Sequence, residues 1–231
     1  MWRVLNQPIS ENLRAELEAR VVAAIGTTTR LAGDQPELLL KDFFIESRGA
    51  GQLLRELLDT PDARALIAQR LTDPVILAAY PEIKLSGAPA TRYRREGDGN
   101  GGSAPVASAF TLWIALGPTN GGNGCLRMAS TTGESDKTVV ALARPSHVEI
   151  APTSAPAYDV AMKPGEIVFF DADQLHGAYP NHSGEPRLAV RVTLAERSGL
   201  APGTFREIAA YGSLGLAARQ GWRKLLGREA K

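Results

Sequence analysis

After Pro81 the chain is written in short runs of β-branched and aromatic residues cut by Gly, Pro, Asn and Ser, and this grammar restricts the fold more than any other feature. The runs occupy residues 110–116, 125–128, 139–143, 147–150, 158–162, 166–170 and 188–194. Seven or more short strands separated by turn signals predict a sandwich or jelly roll, because alternating βαβ units would need helical segments between strands.

The first 80 residues read differently. Ser10 is placed to cap a helix whose Leu13, Leu17, Val21 and Val22 fall on one face and which stops near Gly26. A second stretch runs from Pro36 through Leu38, Leu39 and Leu40 to Phe43 and Phe44, and a third from Gly51 to Leu58. Thr60, Pro61 and Asp62 open a fourth, since Thr caps and Pro suits the first helical turn. Its apolar positions Ala65, Leu66, Ile67 and Leu71 carry the pattern toward Tyr80. The expected organisation is one domain over residues 1–231: a helical part over about 1–80, a jelly-roll core over about 82–196, and a C-terminal helix over about 203–228, basic at its end.

A formal charge of +1, from 26 Lys and Arg against 25 Asp and Glu, gives no reason to expect a nucleic-acid partner. A small-molecule substrate fits better. The single Cys125 excludes an intramolecular disulfide, and Met1-Trp2-Arg3-Val4 lacks the basic and apolar regions of a secretory leader, so a cytoplasmic protein is expected. No apolar stretch approaches the roughly 20 residues that cross a bilayer, so no membrane partner is expected either.

The segment 163–187 carries the densest chemistry. Pro164-Gly165 turns the chain into an apolar run ending at Asp171, a loop presents His176, and a further turn leads to Arg187 at the start of the next run. Imidazole is a common metal ligand, and a guanidinium offers a fixed fork to a carboxylate, so the two together can hold a metal and an acid. The plain alternative is a hydrogen-bonded loop histidine and a salt-bridged arginine. Gly97, Gly99, Gly101 and Gly102, with Asp98 and Asn100, lack the following helix and Lys-Ser/Thr pair of a phosphate loop. They read as a loop over a barrel mouth.

In order and spacing, residues 89–194 resemble the phytanoyl-CoA dioxygenase-like family. The residues that carry the likeness are Trp113-Ile114-Ala115-Leu116, Asn123-Gly124-Cys125-Leu126, Ser130-Thr131-Thr132, Lys163-Pro164-Gly165-Glu166, His176-Gly177, Asn181-His182-Ser183 and Arg187, eleven residues beyond His176. The resemblance implies a double-stranded β-helix (jelly roll, cupin-like), mainly β with flanking helices. It also implies Fe(II) and 2-oxoglutarate as cofactors, with His176 as the distal metal ligand, Arg187 on the distal carboxylate of 2-oxoglutarate, and Trp113 lining the co-substrate pocket. Oxidative tailoring of a small molecule, as in natural-product biosynthesis, is the implied activity.

At the family's His-x-Asp pair this chain reads Arg94 and Glu96, within Thr91-Arg92-Tyr93-Arg94-Arg95-Glu96. A guanidinium keeps its proton and cannot ligate iron, whereas Glu96 can, and Asp98 is the alternative carboxylate. His147 and His182 are weaker candidates. Ala178 stands where the family often has a Ser that helps hold the co-substrate carboxylate. Three readings follow: an oxygenase with an altered metal site built on His176 and Glu96; an iron-independent isomerase, cyclase or lyase using His176 with Arg94 or Arg187; or a non-catalytic subunit. A homodimer, or a heterodimer with an active homologue, fits the last.

Overall fold

A computed structural model describes residues 1–27, 37–94, 109–129, 139–141, 148–150 and 157–199. The predicted helix at 203–228, together with Arg95, Glu96, Asp98, the glycine cluster and His147, lies outside the described residues.

The elements in chain order are β1 (Trp2–Val4), α1 (Glu11–Thr27), β2 (Leu38–Leu39), α2 (Phe43–Glu46), α3 (Ala50–Leu58), α4 (Pro61–Arg70), β3 (Pro74–Lys84), β4 (Thr91–Arg94), β5 (Phe110–Ala115) and β6 (Leu126–Ala129). They continue as β7 (Val139–Ala141), β8 (Val148–Ile150), β9 (Ala157–Val160), β10 (Ile167–Asp171), β11 (His176–Ala178) and β12 (Arg187–Glu196). The major sheet runs β1-β10-β5-β12-β3-β2, the minor sheet β4-β11-β6-β9, and every pairing within them is antiparallel. Strands that follow one another in sequence fall alternately into the two sheets from β3 to β6, which is the winding of a double-stranded β-helix.

The helical reading of the first 80 residues holds in outline. Ser10 Oγ accepts a hydrogen bond from the Leu13 amide at 3.3 Å, and Pro61 stands in the first turn of α4. Thr60 caps less directly than expected, since its hydroxyl donates back to the Leu57 carbonyl at 2.9 Å. The short strands β1 and β2 already lie within the first 80 residues, and the long strand β3 begins at Pro74 and not after Pro81, so the helical pattern carried too far. Two charged residues on β3, Glu82 and Lys84, hide its alternation: Ala79 and Ile83 face the helices, while the acid and the amine face the minor sheet. The stretch after Pro36 likewise divides into the short strand β2 and the single-turn α2.

Alternation sorts β3, β5, β10 and β12 into two layers. Outward-facing Ile83, Leu112, Ile114, Ile167, Phe169, Leu188, Val190 and Val192 pack with leucines of α1, α3 and α4 into the larger core. Inward-facing Trp113, Ala115, Val168, Phe170 and Ala189 meet Leu126, Met128, Val160 and Ala178 of the minor sheet. The inner layer also holds every buried charge considered below.

Two turns fix how the sheets meet. Gly165, at φ +83°, allows the turn that delivers β10, with the Glu166 amide donating to the Lys163 carbonyl at 3.2 Å. Asn181 is fully buried; its amide donates to the carbonyls of Lys84 and Glu185 at 2.9 Å, and its oxygen accepts from Ser183. The Asn-x-Ser turn therefore has a structural duty, and His182 within it is exposed.

Gly124 is the tightest of these points: its φ is +89°, and a Cβ there would lie 2.5 Å from Lys84 Cδ and 3.1 Å from the Tyr179 carbonyl oxygen. Left-handed strain and the clash act together, so Gly124→Ala should lower unfolding stability by about 3 kcal/mol. Chemical denaturation with an unchanged m-value measures this, and a loss within error of zero would refute the packing.

Candidate functional site

Between the sheets lies a cavity of about 240 Å³, counting its open mouth, walled by Glu37, Glu82, Thr91, Trp113, Leu126, Phe170, His176, Gly177, Ala178 and Arg191. His176 reaches it from the minor sheet, where β11 is short and buried. Its ring lies 4.7 Å from the Phe170 ring, centroid to centroid. Nδ1 sits 2.9 Å from the Gln174 carbonyl oxygen. A carbonyl can only accept, so Nδ1 carries a proton and donates it to this bond.

Arg94 is the register partner of His176 across the β4–β11 ladder, and Thr91 is the partner of Ala178. The two positions are therefore direct neighbours across that ladder. Trp113 also lines the cavity.

Arg187 has a different setting from the one the resemblance implies. Its guanidinium stacks 5.0 Å from the Trp113 ring centre and does not border the cavity. One terminal nitrogen donates to Glu82 Oε1 at 3.0 Å and the other to Glu37 Oε1 at 2.9 Å. The fork is therefore filled by two carboxylates of the chain itself. His176 and Arg187 both face the inter-sheet space, but Arg187 meets the cavity only through these acids. Arg191 occupies the wall instead.

Register explains the cluster. Arg187 pairs with Lys84, Ala189 with Glu82 and Arg191 with Tyr80 across the β12–β3 ladder; Ala189 pairs with Ala115 and Arg191 with Trp113 across β12–β5. The alanines leave space in the middle of the layer, and Glu82 fills it. It accepts from Trp113 Nε1 at 3.1 Å and from Arg187, and its second oxygen lies 3.5 Å from an Arg191 terminal nitrogen. Lys84, wholly buried, donates to Thr91 Oγ1 at 3.0 Å and stands 3.7 Å from Glu37 Oε1. Desolvation holds the Lys84 ammonium below the ordinary lysine range, against the opposing pull of Glu37. The sequence reading missed Glu37, Glu82, Lys84 and Arg191. Three of them sit on β3 and β12 with apolar neighbours on alternate positions, and unpaired charges would not be buried there.

Breaking a buried pair leaves the partner charge uncompensated. Glu82→Gln should therefore cost about 3 kcal/mol of unfolding stability, whereas Asp59→Asn, in a half-exposed pair with Arg64, should cost under about 1 kcal/mol. Equal costs would show that the cluster is not buried in solution. Lys84 gives a pH signature as well. In the window between its depressed value and the ordinary lysine value, the unfolded chain binds more protons than the folded one, so stability attributable to Lys84 rises with pH. The stability of wild type relative to Lys84→Met should accordingly shift in favour of wild type as pH climbs through the alkaline window, measured by denaturation at several pH values.

The fold has solved relatives. Similar structures include the non-heme α-ketoglutarate-dependent epimerase SnoN from nogalamycin biosynthesis, with TM-score 0.64 and 17% identity over 84% of this chain and 78% of that one. The carbocyclase SnoK from the same biosynthesis gives 0.63 and 16% over 87% of each chain. EctD from S. alaskensis, solved with 2-oxoglutarate and 5-hydroxyectoine, gives 0.62 and 13% over 87% of this chain and 74% of that one. No curated protein sequence matches the chain. Residues 9–189 match the phytanoyl-CoA dioxygenase family, and with that match, the strand order and the placement of His176, the chain belongs to that family.

Proposed function

We propose that this protein is a small-molecule-modifying member of the iron(II)/2-oxoglutarate oxygenase superfamily whose altered site works without 2-oxoglutarate. The observation that carries this reading is the double occupation of Arg187 by Glu82 and Glu37. A co-substrate carboxylate would have to displace an acid already held by charge-assisted hydrogen bonds in a buried place.

Among the described residues the ligand set for iron is incomplete, and Glu96 and Asp98 lie outside them. His176 supplies one imidazole, its register partner is an arginine, and the described residues contain no group of three His, Cys, Asp or Glu able to hold a metal. A facial triad needs two imidazoles and a carboxylate. What the cavity does offer is proton chemistry. Nε2 of His176 can take a proton from a bound substrate and return it, while the Arg191 guanidinium, which borders the same cavity from the major sheet, stabilises the negative charge left behind. Trp113 and Phe170 supply apolar faces to the cavity. Isomerisation, cyclisation or elimination of an organic substrate is the reaction class these groups serve. SnoN and SnoK, by the names of their structures, carry out an epimerisation and a carbocyclisation on this fold, with α-ketoglutarate.

The test is to titrate native protein with iron under nitrogen, add 2-oxoglutarate, admit air and measure succinate. Native protein should bind iron weakly and form no succinate above background, and Arg94→His should bind iron measurably more tightly through the restored neutral imidazole. Stoichiometric iron with 2-oxoglutarate-dependent succinate from the native chain would overturn the proposal and establish an oxygenase.

A further inference from the structure

We infer that Arg187 and Lys84 form a carboxylate-binding site that the chain itself fills with Glu37, and that a small external carboxylate takes this place when Glu37 is removed. The inference rests on the reading above and deepens it by assigning the acid that keeps the site closed.

Glu37 and Glu82 both hold Arg187, but they are anchored differently. Glu82 belongs to β3, between β12 and β2, and draws donors from Trp113, Arg187 and Arg191. It is part of the frame. Glu37 directly precedes β2, a two-residue strand at the edge of the sheet. Leu38 pairs with Ile83 and Leu39 with Glu82, so one further step of the ladder sets Glu37 beside Lys84, which in turn pairs with Arg187. The three form one row across the inner face, with the carboxylate bridging a guanidinium at 2.9 Å and an ammonium at 3.7 Å. Glu37 also borders the cavity between the sheets.

Chemistry sets the ligand class. A guanidinium nitrogen and an ammonium on either side of one oxygen recognise a carboxylate by charge and by donor direction. Glu37→Ala deletes the carboxylate and one methylene while leaving both cations buried, so the variant should be destabilised and should regain stability on binding a free carboxylate.

Formate and acetate are the probes, with chloride at equal ionic strength as the control and 2-oxoglutarate as a larger acid. In Glu37→Ala, formate or acetate should raise the thermal midpoint by several degrees, increasing with concentration, while wild type should respond equally to all the salts. No carboxylate-specific shift in the folded variant overturns the inference and leaves the reading above intact. If Glu37→Ala does not fold in chloride, Glu37→Ala/Lys84→Met removes the ammonium too and keeps Arg187 facing the gap. Formate should then stabilise the double variant, and its failure to do so overturns the inference equally. Wild type that binds 2-oxoglutarate as tightly as Glu37→Ala overturns both the inference and the reading on which it rests.

Discussion

A layer of charge sealed between two sheets is the constraint on which this structure depends. Arg187, Arg191 and Lys84 cannot shed their solvation cost without acids, and Glu82 and Glu37 are placed by strand register to meet them. Ala115 and Ala189 stay small so that the Glu82 carboxylate can lie among its donors. Trp113 contributes an indole N–H to one oxygen of Glu82 and a ring face to Arg187. Each of these residues is where it is because another one is.

This layer also separates two duties of the barrel. The outer face of the major sheet packs its apolar residues under α1, α3 and α4 and supplies the driving force for folding. Freed from that task, the inner face can tolerate polar groups, and the cavity with His176 opens there. That cavity is bordered by His176 and Arg191 and by Glu37 and Glu82, two acids held by neighbouring cations.

Much of this was legible from the residues alone. Turn punctuation and short β-branched runs predicted the jelly roll, and the spacing of His176, the Asn-x-Ser turn and Arg187 placed them on β11, the following turn and β12. Arg94, named from the sequence, lies on β4 in register with His176. What sequence could not deliver was the company Arg187 keeps. Glu37 lies 150 residues away and Glu82 105 residues away, and each contact is non-local. An acid next to Pro81 resembles the end of a helix until the strand on which it sits is seen.

The row formed by Glu37, Lys84 and Arg187 has one more effect, and it concerns how the strands find their alignment. Slipping β12 by one residue against β3 would exchange the two faces of the strand, turning Arg187 and Arg191 toward the leucines of the helices and Leu188 and Val190 toward Glu82. An apolar strand can shift by one and lose only packing. This one would strand two guanidinium groups in hydrocarbon and leave two acids without counter-charges, so the buried ions penalise every alignment but the native one.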